Sequence, residues 1–234
     1  MPQIHIRDAG LSPDDATFIV EAFDSTLPHL EAVGSGEMWG PTPFSQKDGF
    51  ADETAKDVRA SETYRTTGEG EALRIFVAEV ELGTEAAATA AAGATPHGLR
   101  CRVAEDDGAR SLAVGAAFVR ERWVPDHIGK QFHVDGIRDA LEGREDFVFL
   151  DVVVTDYRAG EMREGAGGAL VGRAMEYGVE KGKRVLYLDA WAGNERKLVK
   201  LYEKMGFSVV AEFEMRRANG SSWPGVLMQL NLGD

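Results

Sequence analysis

Cysteine is nearly missing from this chain. One residue, Cys101, stands among 234. That excludes an internal disulfide framework and any cysteine-rich zinc site. In "LRCRV" it reads as a small core residue. Long apolar runs are missing too, and no stretch approaches the roughly 18 apolar residues of a membrane span. The opening "MPQIHIRDAG" has no basic region followed by an apolar core, so no secretory signal is expected. Clusters of positive charge are also absent. The net charge is −13, and Lys and Arg gather on no segment, so nucleic acid is not an expected partner. The acidic balance speaks mainly to solubility, with only a slight bias towards a cationic substrate. His127 and His133 lie six apart without carboxylate or cysteine company, so no metal site is expected there. These absences together predict a cytoplasmic protein that binds neither membrane nor nucleic acid.

What is present is an ordinary globular composition, 44% apolar and 28% charged. The length allows one large domain or two small ones. "QIHIR" alternates and predicts a strand. "SPDDATFIVEAFDSTL" predicts a helix, with Ser12 as N-cap, Pro13 at its first position and Pro28 just beyond its end. "VGSGEMWGPTPFSQ" is a loop by its turn chemistry. Its aromatics, Trp39 and Phe44, wall a ligand pocket or pin the loop to the core. "DETAKDVRASETYRTT" is a second, polar helix. "ALRIFVAEVEL", "LRCRVAED" and "SLAVGAAFVRE" read as strands, the last two joined by a turn at "DDGAR". Between the first two lies a low-complexity insertion near 83–98. A long connection, "RWVPDHIGKQFHVDGIRDALEGRED", carries a helical piece near its end.

From Phe147 the signals sharpen. "FVFLDVVVT" is the apolar run of a strand buried on both faces. Small residues and a helix follow, with Val171, Ala174, Met175 and Gly178 on one face. "RVLYLDAW" is a strand. "NERKLVKLYEKMGF" is a helix that Asn194 can cap, with Leu198, Leu201, Tyr202 and Met205 on one face. "SVVAEFEMR" and "VLMQLNL" close the chain as strands. The order β-α-α-β-β-β-β-α-β-α-β-β predicts a single α/β domain over 1–234 with a mixed sheet flanked by helices.

"REGAGGAL" raises the chemical question. In the small-residue run Gly165, Ala166, Gly167 and Gly168, the three glycines are poor choices for opening a helix unless something must approach the backbone. A glycine-rich turn between strand and helix suits an anion, because the free N–H groups and the helix dipole point at it. It can also be a plain turn. No Lys-Ser/Thr follows, as a nucleotide P-loop needs. Leu170 stands where the dinucleotide fingerprint has its third glycine. G-x-G-x-x-L after a buried strand, then strand, helix and "LYEKMGF", resembles the GNAT acyltransferase superfamily over Phe147 to Phe207.

That resemblance implies a mostly antiparallel twisted sheet and acetyl-CoA as co-substrate. It implies that Arg163, Glu164, Gly165, Ala166, Gly167 and Gly168 bind the pyrophosphate, and that the backbone of Val152 and Val154 pairs with the pantetheine arm. Tyr202 would protonate the leaving thiolate, and Asn194 would lie near the arm. The implied reaction is direct transfer of an acetyl group to an amine, with a small molecule as the first-choice acceptor and a protein amine as another. A non-catalytic acyl-CoA-binding module is the alternative on the same fold. A nucleotide-binding protein is a third. Family members are often dimers, so a homodimer is allowed.

For the base, Asp151 interrupts an apolar run and is the first candidate. Asp189 in "LYLDAW" has the same character, Glu145 and Glu121 are further options, and a water chain could serve. Trp39 and Trp123 are expected at the acceptor, with His127 and Trp223 in the same regions. Three features depart from the family pattern. Met162 stands where an arginine or glutamine is usual. The link "TDYRAGEMRE" is about three residues longer than usual. Asn194 lies eight residues before Tyr202 rather than seven.

Overall fold

The computed structural model describes residues 3–82, 98–99, 101–103, 110–217 and 220–233. The expected insertion near 83–98 and the turn at "DDGAR" lie almost wholly outside the described residues. The predicted order of strands and long helices is the observed one, with two short helices added in the connection before Phe147. The strands are β1 (Ile4–Asp8), β2 (Leu73–Glu81), β3 (Cys101–Val103), β4 (Arg110–Glu121), β5 (Phe147–Thr155), β6 (Val185–Trp191), β7 (Ser208–Arg216) and β8 (Ser222–Asn231). They form one sheet in the order β1-β2-β4-β5-β6-β8-β7, with β3 on β4. β1 on β2, β3 on β4, β6 on β8 and β7 on β8 are antiparallel, and β5 on β6 is parallel. The helices are α1 (Asp15–Ala32), α2 (Phe50–Thr67), α3 (Asp126–Gly129), α4 (Asp135–Leu141), α5 (Ala166–Glu180) and α6 (Gly193–Lys204).

α1 differs from its predicted bounds. It starts at Asp15, not Pro13, because the Asp15 carboxylate accepts from the Gly10 and Ser12 N–H groups and holds the preceding residues in a turn. It runs through Pro28 to Ala32. Pro28 costs the helix one backbone hydrogen bond, and the buried Leu30 anchors the turn beyond it.

The chain folds into two compact units. The first comprises Met1–His29, Pro41–Phe118 and Val152–Arg173, and the second Leu30–Gly40, Val119–Asp151 and Ala174–Asp234. The first buries Phe18, Ile19, Leu73, Ile75, Phe76 and Leu112. It also encloses a charged network: Arg7 pairs with Asp15 and Glu79, each at 2.6 Å, and Arg102 reaches Glu79 at 3.0 Å. The second is built on Ile128, Ile137, Phe147, Phe149, Tyr187 and Leu227. Strands β5 and β6 pair there from Phe147–Val185 to Phe149–Tyr187. Beyond that, β5 continues through Leu150 and Asp151. Burial falls along it, from Phe147–Leu150, all buried, to Asp151–Val153, all partly exposed. The central strand is therefore not closed on both faces along its whole length.

Candidate functional site

In the first unit, the segment after β5 is a capped turn. Asp156 is fully buried and accepts from the Arg158 N–H at 3.0 Å. Arg158 also grips it through Nη2 at 2.7 Å and reaches Glu21 at 3.2 Å. The three extra residues of the link are thus absorbed in a short helical turn, Tyr157–Arg163, kinked at Gly160. Arg163 lies over the Tyr157 ring, its guanidinium carbon 3.7 Å from the centroid. Tyr157 in turn stacks on His29 at 4.1 Å. Burial and the Arg163 charge hold the His29 ring below its ordinary pKa, so no second cation competes beside Arg163. Arg163 Nε is buried without a hydrogen-bond partner.

The glycines then divide by purpose. Gly165 has φ +85°, a conformation side chains rarely adopt, and it turns the chain into α5. Ala166 is buried. At Gly168 an added Cβ would meet nothing within 4 Å, and at Gly167 only Thr155 Cγ2 at 3.9 Å. Packing does not require glycine at either position. What their bareness leaves open is the approach to the first-turn N–H groups of α5, which have no partner inside the helix. Glu164 is exposed and closes the preceding turn through its N–H to the Glu161 carbonyl. Val154 is buried and Val152 partly exposed on β5.

In the second unit, the base candidates are all engaged. Asp151 accepts from Arg120 Nε at 3.1 Å. The Arg120 guanidinium also sits 4.7 Å from the Trp123 ring. Trp123 packs edge-on against Phe149, so its main contacts are with the core. Asp189, on β6, faces His127 of α3, with Oδ2 3.2 Å from Nε2. Neither Asp189 nor His127 stands alone, as the sequence had them. Burial pulls the His127 pKa down, but the Asp189 hydrogen bond and the charges of Asp189, Asp151 and Asp126 outweigh it, and the net shift is upward. Glu121 holds the Tyr177 hydroxyl at 2.7 Å and Lys183 at 3.4 Å. Glu145 is exposed, with Arg122 at 3.7 Å.

Tyr202 sits on α6 with its ring edge-on to Phe207 at 5.6 Å. Burial of its hydroxyl, and then the Asp189 charge, push its pKa up to about 12. The hydroxyl therefore stays protonated at any working pH. α6 itself departs from expectation. Asn194 does not cap it. Asn194, Glu195 and Arg196 have φ +48°, +56° and +61°, a left-handed run that costs roughly 1–2 kcal/mol per residue. The Asn194 amide instead donates to the Val33 carbonyl at 2.8 Å and Ser35 Oγ at 2.6 Å. The predicted apolar face of α6 shifts as well: Val199 is buried, while Leu201 is exposed.

Trp39 follows a short turn at Gly36–Met38. The Trp223 indole donates to the Met38 carbonyl at 3.0 Å, and Arg217 donates to the carbonyls of Glu37 and Met38. The loop carrying Trp39 and the strand carrying Trp223 are thereby tied together. The distant pairings were invisible in sequence: His127 with Asp189, and Arg163 on Tyr157 and His29. The only local signal was the ring-bearing residue itself.

No protein-family model matches this chain, and no curated protein matches it by sequence. Solved structures do. yncA from Salmonella typhimurium, determined with acetyl-CoA, aligns with a TM-score of 0.54 at 17% identity, covering 99% of this chain and 95% of that one. An N-acetyltransferase from Staphylococcus aureus aligns with a TM-score of 0.54 at 16% identity over 99% of both chains. A GCN5-related N-acetyltransferase from Kribbella flavida aligns with a TM-score of 0.53 at 17% identity over 98% of both. The chain has the GNAT fold.

Proposed function

We propose that this protein is an N-acetyltransferase that moves the acetyl group of acetyl-CoA to the amine of a small molecule. The observation that carries it is the bare start of α5. Gly167 and Gly168 present backbone N–H groups with no side chain in front of them, at the positive end of a 15-residue helix. A pyrophosphate is the group such a cradle fits. Arg163, flat on Tyr157 with its Nε unpartnered, supplies the charge. Glu164 contributes backbone only, since its carboxylate would repel the phosphates. The strand backbone of Val152 and Val154, beyond the last β5–β6 pair, offers strand-like hydrogen bonds to an amide-bearing arm. Asn194 is assigned the loop tether rather than the arm.

Tyr202 acts on the leaving sulfur. A phenol at about 12 does not hand its proton outright to a thiolate of pKa ~8.5. It donates a hydrogen bond that strengthens as charge builds on sulfur. Trp39, on a turn braced by Trp223 and Arg217, walls the acceptor. Trp123 holds Arg120 in place.

The test is calorimetric titration with acetyl-CoA of the wild-type chain and of Gly167→Leu, with ATP and NAD as controls. Micromolar binding that weakens at least tenfold in the variant supports the proposal. Tighter binding of ATP or NAD than of acetyl-CoA overturns it. CoA release is then followed with alkylamines, polyamines, amino acids and a tetrapeptide, and turnover of the tetrapeptide alone would move the acceptor to the protein class.

A further inference from the structure

Acyl transfer to an amine needs an acceptor for the amine's proton. Both carboxylates that interrupt the buried strands are already engaged, Asp151 by Arg120 and Asp189 by His127. Neither presents an unoccupied carboxylate to an amine. His127 does offer a nitrogen. Its Nε2 faces Asp189 Oδ2 at 3.2 Å, which fixes the hydrogen on Nε2 and leaves the lone pair on Nδ1. The ring side chain is 40% exposed, against 14% for Asp189, so an amine can reach the ring while the carboxylate stays behind it.

We propose that His127, oriented by Asp189, is the general base that takes the proton from the acceptor amine. This presupposes the acetyl transfer proposed above. An amine entering as ammonium gives one proton to Nδ1 of His127, which passes it to solvent. The nitrogen lone pair forms the N–C bond and the C–S bond breaks. The nitrogen loses its second proton to solvent and the departing thiolate takes one from solvent, so CoA leaves as the thiol, while the Tyr202 hydroxyl keeps its own proton and donates a hydrogen bond to the sulfur. Asp189 bears on both ends, because it stabilises the imidazolium of His127 and keeps Tyr202 protonated. The charged and titratable groups around His127 are Asp189 on β6, Asp151 on β5, with its partner Arg120, and Asp126 on α3. Against burial and one paired arginine, the three carboxylates win, and the ring is held above its ordinary pKa. Asp189 is a positioning residue.

The experiment is the pH profile of kcat/KM for CoA release from acetyl-CoA. n-Butylamine is the acceptor, or water where n-butylamine is not acetylated. The wild-type profile should fall on its acid side with a midpoint above 6.5, the ordinary histidine value. His127→Gln should lose that limb and about 10²–10⁴-fold in plateau rate, with acetyl-CoA affinity within twofold of wild type. Asp189→Asn should move the limb to lower pH, which a purely structural loss would not do. Added imidazole should restore activity to His127→Ala. His127→Gln keeping the limb, or losing less than threefold, overturns the assignment. So does a wild-type chain that binds acetyl-CoA yet releases no CoA at any pH. Failure to bind acetyl-CoA at all would instead sink the acetyl transfer itself.

Discussion

Two single groups give clear outcomes. Tyr202→Phe removes one oxygen and no packing. It should lower kcat about 10²-fold or more, while calorimetry shows acetyl-CoA affinity unchanged. Glu79 tests the charged network. Burial raises its pKa, but hydrogen bonds and charge from Arg102 and Arg7 overcome that and hold it low. A carboxylate held low stabilises the fold above its ordinary value of 4.5, and that contribution is lost as pH falls through the lower folded value. Glu79→Gln leaves Arg7 and Arg102 short of a partner. It should cost about 3 kcal/mol at pH 7, and the gap between the two melting temperatures should close below pH 4.5. At this scale the sequence was only half legible. Asp189 and His127 each stood out, but they are 62 positions apart (189 − 127), and nothing local says that β6 and α3 bring them together. Arg163 was legible as a cation near the glycines, whereas its aromatic seat was not, because Tyr157 and His29 belong to different elements.

Elements were read more fully, since periodicity and caps are local. All eight strands follow from alternation or from short apolar runs bounded by turns. The misreadings came where tertiary contacts overruled local signals: Pro28 inside α1, and the left-handed start of α6. Two glycines test how elements meet. At Gly115 of β4 a Cβ would stand 2.9 Å from the Val154 carbonyl oxygen and 3.1 Å from Leu170 Cδ1. Backbone cannot move aside cheaply, so Gly115→Ala should destabilise by about 1–3 kcal/mol in denaturant melts. Gly168→Ala meets nothing. It should stabilise the unliganded protein by up to about 1 kcal/mol and still weaken acetyl-CoA binding. Both results together would mark Gly168 as a residue set by a ligand rather than by the fold.

The whole molecule is built from interleaved segments. Helices α1 and α5 and strands β4 and β5 each contribute residues to both compact units. All four tryptophans, Trp39, Trp123, Trp191 and Trp223, belong to the second unit. Tryptophan fluorescence therefore reports that unit, and far-UV circular dichroism reports both. Four shared elements should make unfolding one event, with coincident midpoints from the two probes. Separated midpoints would show that the units melt independently. The chain also holds two junctions of strand to long helix in its second half, β5 to α5 and β6 to α6. Either could have drawn a phosphate. The first turn of the second junction, Asn194–Arg196, is left-handed, whereas no residue of Ala166–Ala169 at the first has a positive φ. Under the proposed function the phosphates go to the first, and the tether from Asn194 to Val33 and Ser35 commits the second to holding the loop that carries Trp39.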